Sequence, residues 1–213
     1  MKKRLLAFVL ILSSTVALTG QVTFILETFG DPVSTTGISD YADFDTALLF
    51  TGSVDVRASR PSADYPGASG GGNVFFGDFN DTLQISGIDT ANHAEIGLSF
   101  GAYEGIGGQD GVDAGVLRVD VSVDGVNWSP VTYTGPGANG WGVAASALGA
   151  IPEADALALR FTSLDLDGKE IRLDDIALFG TLKDSPIGVI PESSALGLLA
   201  GLLALVGVAR RRS

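Results

Sequence analysis

Between residues 21 and 182 the sequence shows almost no helical periodicity; apolar and polar residues alternate in short runs cut by Gly, Asp, Asn and Pro. A two-residue period bounded by turn formers is the pattern of half-buried strands, and it commits this stretch to β structure. The clearest unit is Val116-Leu117-Arg118-Val119-Asp120-Val121-Ser122-Val123, followed by Asp124-Gly125 and Val126-Asn127-Trp128. Asp-Gly supplies the positive φ angles of a type I′ turn, so a hairpin is expected there. A second hairpin is expected from Ala156–Phe161 through Asp167-Gly168 to Ile171–Leu173 and Ile176–Phe179. Further strands are expected at Val22–Glu27, Asn73–Phe76, Thr82–Ser86, Glu95–Phe100, Val131–Thr134 and Gly142–Ala145. Nine or ten short strands at this spacing predict an all-β, two-sheet sandwich whose first and last strands close its sheets and blunt their edges. Residues 34–72, polar and turn-rich around the apolar patch Ala47–Phe50, read as a long loop crossing between sheets, with a mobile glycine run at Gly67–Gly72.

The two ends differ from this middle. Met1 is followed by Lys2-Lys3-Arg4, an apolar run from Leu5 to Leu12, and small or polar residues to Gly20. That order is the one a secretory signal shows, so residues 1–20 are expected to direct export and be removed. At the other end, a linker over 183–189 leads to Pro191-Glu192, an apolar helix over 195–209, and Arg210-Arg211-Arg212. Fifteen residues of helix reach only about 22 Å at ~1.5 Å per residue, short of a ~30 Å hydrocarbon core. The arginines are expected to stay cytoplasmic, which places the rest of the chain outside.

The short Pro191-Glu192 motif, the Leu/Ala/Gly-rich helix and the terminal arginines together resemble the PEP-CTERM sorting signal of exopolysaccharide-producing Gram-negative bacteria, here over residues 190–213. Ser193 stands where the third residue of the usual Pro-Glu-Pro would be. The resemblance implies an exosortase-type processing enzyme as partner, transient anchoring in the inner membrane, and delivery to the cell surface or extracellular matrix. A permanent membrane anchor is the alternative.

Charge narrows the partners. The full chain carries 13 Lys and Arg against 25 Asp and Glu; without both end segments, seven basic residues face 24 acidic ones, a net charge near −17. Such a body repels a phosphate backbone, so no nucleic-acid partner is expected. The absence of Cys excludes disulfides, thiolate metal sites and Cys nucleophiles, and the single His93 excludes a histidine cage. No spacing pairs Glu95, Glu104, Glu153 or Glu170 as glycosidase carboxylates, and no enzyme activity is expected.

Glu27-Thr28-Phe29, Leu83–Asp89, Val121–Trp128 and Ile171-Arg172-Leu173-Asp174-Asp175-Ile176 resemble segments of the jelly-roll modules of secreted bacterial surface proteins, kin in architecture to non-catalytic carbohydrate-binding modules. The resemblance implies a structural Ca²⁺ joining the first and last strands through Glu27 and Asp174 or Asp175. Ca²⁺ takes six to eight oxygens and suits carboxylates drawn from distant strands; a solvated, pairing-resistant sheet edge is the alternative reading of the same acids. Asp165–Glu170 echoes an EF-hand loop but has strand-like flanks, and reads better as a hairpin turn. Trp128, Trp141, Tyr65, Tyr103 and Tyr133 can offer apolar faces to a sugar ring. Core or hairpin packing is expected for the two tryptophans, leaving Tyr65 and Tyr103, read as loop residues, as the ligand-binding candidates. The expected function is a structural or adhesive one at the cell surface, touching exopolysaccharide; the alternative is a calcium-stabilised carbohydrate-binding module, and the third possibility a glycan hydrolase.

Overall fold

The computed structural model describes residues 20–105, 111–136, 140–164 and 170–183. Residues 1–19 of the expected signal segment, Pro191, Glu192, Arg210–Arg212 and the expected helix over 195–209 lie outside the described residues, as do positions 165–169 of the EF-hand-like stretch.

Thirteen strands and no helix occur among the described residues. In chain order they are β1 (Val22–Glu27), β2 (Thr36–Gly37), β3 (Leu49–Gly52), β4 (Asp55–Arg57), β5 (Asn73–Phe76), β6 (Thr82–Ile88), β7 (His93–Glu104), β8 (Leu117–Ser122), β9 (Ser129–Pro130), β10 (Tyr133–Thr134), β11 (Gly140–Ser146), β12 (Leu157–Ser163) and β13 (Ile171–Leu182). They form two antiparallel sheets. The larger runs β10-β11-β7-β13-β5-β4-β2, with β1 beside the second half of β13; the smaller runs β3-β6-β12-β8-β9.

Inward-facing side chains of both sheets share one core. Phe100 of β7 meets Phe161 of β12 edge-on across the interior, ring centroids 5.4 Å apart, which fixes the sheets face to face. In β8 the alternation is clean: Leu117, Val119 and Val121 are buried in the core, while Arg118, Asp120 and Ser122 alternate with them on the other face. Each such core side chain contributes about 1.5–3 kcal/mol by leaving water.

Several expectations change in this frame. Asp124-Gly125 does lie in a hairpin, but β8 and β9 pair through Asp120↔Pro130 and Val121↔Ser129, which leaves a six-residue connection over 123–128 instead of a two-residue turn. Asp124 organises that connection by accepting the amides of Val126 and Asn127 at 2.8 and 2.7 Å. The second expected hairpin does not form. β12 lies at the centre of the smaller sheet and β13 at the centre of the larger, so the chain crosses the sandwich between them. A turn signal reports that the chain reverses, and says nothing about whether the next strand rejoins the same sheet. β13 therefore does not close an edge: it pairs with β7 on one side and with β5 and β1 on the other. Residues 34–72 contain three strands, β2 to β4, too short to show periodicity. The end of the glycine run is packed: a Cβ on Gly72 would come within 2.5 Å of the Phe29 carbonyl oxygen, so the backbone there approaches more closely than any side chain would permit, whereas Gly67 has nothing within 4 Å.

Candidate functional site

The outer face of the larger sheet is crossed by residues 58–72, which form a strap between β4 and β5. Two adjacent acids on β13 hold this strap down. Asp174, opposite Gly101 of β7, turns outward by strand parity, and a bulge between Asp174 and Ala177 breaks the pairing with β7. Within it Asp175 takes a left-handed backbone, φ 49°, an excursion Asp tolerates better than most residues. Asp174 Oδ2 accepts the Ser69 hydroxyl at 3.0 Å, and Asp175 Oδ2 accepts the Ser69 amide at 3.2 Å and the Tyr65 hydroxyl. Asp174 is fully buried, and burial, more than the neighbouring Asp175, pushes its carboxyl up to about 7. Tyr65 is raised above the ordinary phenol range by burial and by its bond to Asp175.

Tyr65 lies across Gly101, where a Cβ would stand 2.1 Å from the phenol oxygen; only glycine leaves room for the ring. Beside it Tyr65, Leu26, Ser99, Val143 and Asp175 line a cleft of about 320 Å³, at the small end of the ~300–1,000 Å³ typical of small-molecule sites. On its other side stands Trp141. β11 pairs Trp141 directly with Tyr103 of β7, and their rings sit 5.5 Å apart at 47°. The Tyr65 ring is 6.3 Å from Trp141 at 46°. Trp141 is half-buried, and its indole N–H has no acceptor among the described residues.

The row continues along the same face. Arg172 is the cross-strand partner of Tyr103 on one side and of Phe75 on the other, and Phe75 in turn pairs with Asp55 of β4. The Arg57 guanidinium lies 3.5 Å from the Phe75 ring centre, and that of Arg60 lies 5.4 Å from the Tyr103 ring centre. Asp55 pairs with Arg57 at 2.9 Å, and Glu170 pairs with Arg60 at 3.0 Å and Arg172 at 3.6 Å. Arg172, only 3% exposed, donates to the Ser59 carbonyl at 2.7 Å and to the Asn73 side chain at 2.9 Å. Burial draws it below the usual guanidinium range; Glu170 opposes this, and Arg57 and Arg60 add to it.

Both ligand-binding candidates from the sequence therefore lie in this cluster, with two changes. Tyr103 is a strand residue near the end of β7, and Trp141 is an outer-face residue between the two tyrosines instead of a core one. Trp128 is half-buried on the opposite sheet, with the Arg160 guanidinium 4.1 Å above its ring. Tyr133 is a core residue whose hydroxyl donates to the Leu117 carbonyl. His93 opens β7 and stacks on Phe24, ring centroids 3.7 Å apart. Sequence reading missed Arg57, Arg60, Arg172 and Phe75; a signal existed, because these three arginines are a large share of the few cations in an acidic body.

The carboxylates expected to share calcium hold separate hydrogen-bond sets. Buried Glu27 accepts the amides of Phe29, Asp45 and Thr46 and the Thr46 hydroxyl, at 3.0–3.2 Å, and burial raises its carboxyl above the ordinary range against those bonds. Asp174 and Asp175 are engaged by the strap. Among the described residues no group of three or more His, Asp or Glu side chains is placed to hold a metal ion.

No family model matches this chain, and no curated protein matches it. Among solved structures, it is similar to the CBM22-1 xylan-binding domain of Paenibacillus barcinonensis Xyn10C, at 14% identity over 79% of this chain and 100% of that one, with a TM-score of 0.47. It is also similar to a family 61 carbohydrate-binding module solved with β-1,4-galactotriose, at 18% identity over 63% and 89%, TM-score 0.41. A third is the K2 adhesin domain of Lys-gingipain, at 19% identity over 74% and 97%, TM-score 0.40.

Proposed function

We propose that this chain is a non-catalytic glycan-binding protein of jelly-roll type, exported and sorted to the cell surface or extracellular matrix, where it adheres to polysaccharide. The observation that carries the binding half is the Tyr65–Trp141–Tyr103 cluster: three tilted aromatic rings on an outer sheet face, next to a cleft. Aromatic rings match the C–H face of a pyranose. Export and sorting rest on the basic and apolar start of the chain and on Pro191-Glu192, the apolar run and Arg210–Arg212. Affinity electrophoresis of the full chain through gels carrying soluble polysaccharides tests the first half: retardation by at least one, lost in Trp141→Ala, supports it, and unretarded migration in all removes it. The intact mass of protein recovered from the cell surface tests the second; loss of both ends is the expected result.

Calcium is a separate proposal with its own chemistry. An ion at Glu27 has to replace amide donors that already fill the carboxylate, so binding there requires the loop at 45–46 to move. A rise in Tm on adding Ca²⁺, reversed by chelation, supports it; an unchanged Tm removes it.

A further inference from the structure

We infer that the arginine row beside the aromatic cluster is a subsite for a carboxylate-bearing sugar, so that the polysaccharide bound is an acidic, uronate-containing one. This rests on the glycan-binding reading above and names the ligand class of the same face.

Three observations carry it. The first is placement. Of the six basic residues that lie within the described part of an acidic chain, Arg57, Arg60 and Arg172 converge on one outer face, contiguous with Tyr103 and Trp141. Among the described residues two acids, Asp55 and Glu170, pair with these three guanidinium groups, which leaves one positive charge in excess there. The second is reach. The Arg57 and Arg60 side chains are 27% and 41% exposed, so their guanidinium groups stay open to an anion, while Arg172, 3% exposed, is held by Ser59 and Asn73. A guanidinium forks readily onto a carboxylate. The third is that the protein already shows how a carboxylate sits here: Glu170, half-buried, lies between Arg60 and Arg172 at 3.0 and 3.6 Å.

The chemistry suits a uronate better than a bare anion. A guanidinium lying over an aromatic ring, as Arg57 does over Phe75, keeps its N–H groups in the plane parallel to the ring and able to fork onto a carboxylate. A sugar ring stacked on the adjoining Tyr103–Trp141 pair would carry its carboxylate at a ring substituent, next to the arginines. The two halves of the row then read the two halves of one residue type.

The test uses the full chain in affinity electrophoresis and titration calorimetry, with polygalacturonate and alginate as acidic probes and galactan and xylan as neutral ones. Arg57→Gln and Arg60→Gln are chosen because both side chains reach solvent, the Arg60 side chain being 41% exposed, and circular dichroism monitors their folding. Preferential retention by an acidic probe, weakened about tenfold in either variant, supports the subsite. The wild type's advantage over the variants must also shrink between about 50 mM and 0.5 M NaCl, since added salt screens exposed charge. Equal binding of neutral and acidic probes, unchanged in both variants, overturns the acidic specificity while leaving glycan binding intact. Retention by no probe overturns the glycan reading itself, and the subsite with it. If one variant fails to fold, the other decides between these outcomes.

Discussion

The outer faces of the two sheets are built from the same ingredients and differ in what covers the tryptophan. On the smaller sheet Arg160 lies over Trp128, and Asp120 binds both Arg118 and Arg160, at 2.9 and 3.2 Å. The protein's own cation occupies the aromatic face and a largely buried carboxylate anchors that cation, so the arrangement is closed. On the larger sheet Trp141 is flanked by tilted tyrosines, its N–H has no acceptor among the described residues, and the arginines lie over other rings, Phe75 and Tyr103. Composition does not distinguish the two faces. What distinguishes them is whether the cation stacks on the tryptophan or on a neighbouring ring.

Removing what both faces share has the largest expected effect. Phe161→Ala opens a cavity under both sheets and should cost about 3–5 kcal/mol in urea unfolding, with binding affected only through the folded fraction. Next is the pH response of the strap, which the smaller sheet lacks. Asp174 keeps its proton in the folded protein up to about pH 7, whereas an ordinary carboxyl loses it near 3.8. The folded state therefore binds more protons across that window, and stability should fall as pH rises through it, then level off, by on the order of a few kcal/mol. Urea midpoints at pH 5 and pH 8 measure the slope, and Asp174→Asn should flatten it. Third, Arg172→Met should cost about 2–3 kcal/mol, because it strands the Ser59 carbonyl and the Asn73 side chain, while Arg160→Gln on the other face should cost about 1 kcal/mol or less. Fourth, Trp141→Ala should weaken glycan binding about tenfold or more and Trp128→Ala should leave it unchanged; equal losses in calorimetry would erase the contrast between the faces. The smallest effect belongs to the β8–β9 connection. Fully exposed Asp124 is held below the ordinary carboxylate range by the Asn127 and Val126 amides and the Asn127 side chain, so its contribution is present at neutral pH and lost as pH falls through the acid range. Asp124→Ala should lower Tm slightly at pH 7 and by progressively less as pH falls below the ordinary carboxylate range.

Much of the fold is legible in the chain. The limits of β1 and β5 match the expected Val22–Glu27 and Asn73–Phe76, and β6, β7 and β11 extend expected cores by a few residues, because alternation persists wherever one face is buried and the other wet. β2, β3 and β4 escape notice since strands of two to four residues show no period. Tyr65 and Tyr103 are visible as candidates from residue type alone. Trp141 is misjudged because a large aromatic is usually buried, and nothing local says that its neighbours are Gly101 and two tyrosines. The arginine row is hidden because Arg57, Arg60 and Arg172 meet only through β4, β5 and β13.

What the amino-acid order determined by itself was the strand character of the middle, its acidity and the two apolar ends, because periodicity, charge and hydropathy are local sums along the chain. The tertiary structure alone decided which sheet each strand joins, and with it that β12 and β13 part across the sandwich and that Arg172 arrives beside Phe75 and Tyr103. The period of two tells a side chain which neighbours share its face; only pairing between distant strands tells it which ring, cation or strap it will meet there.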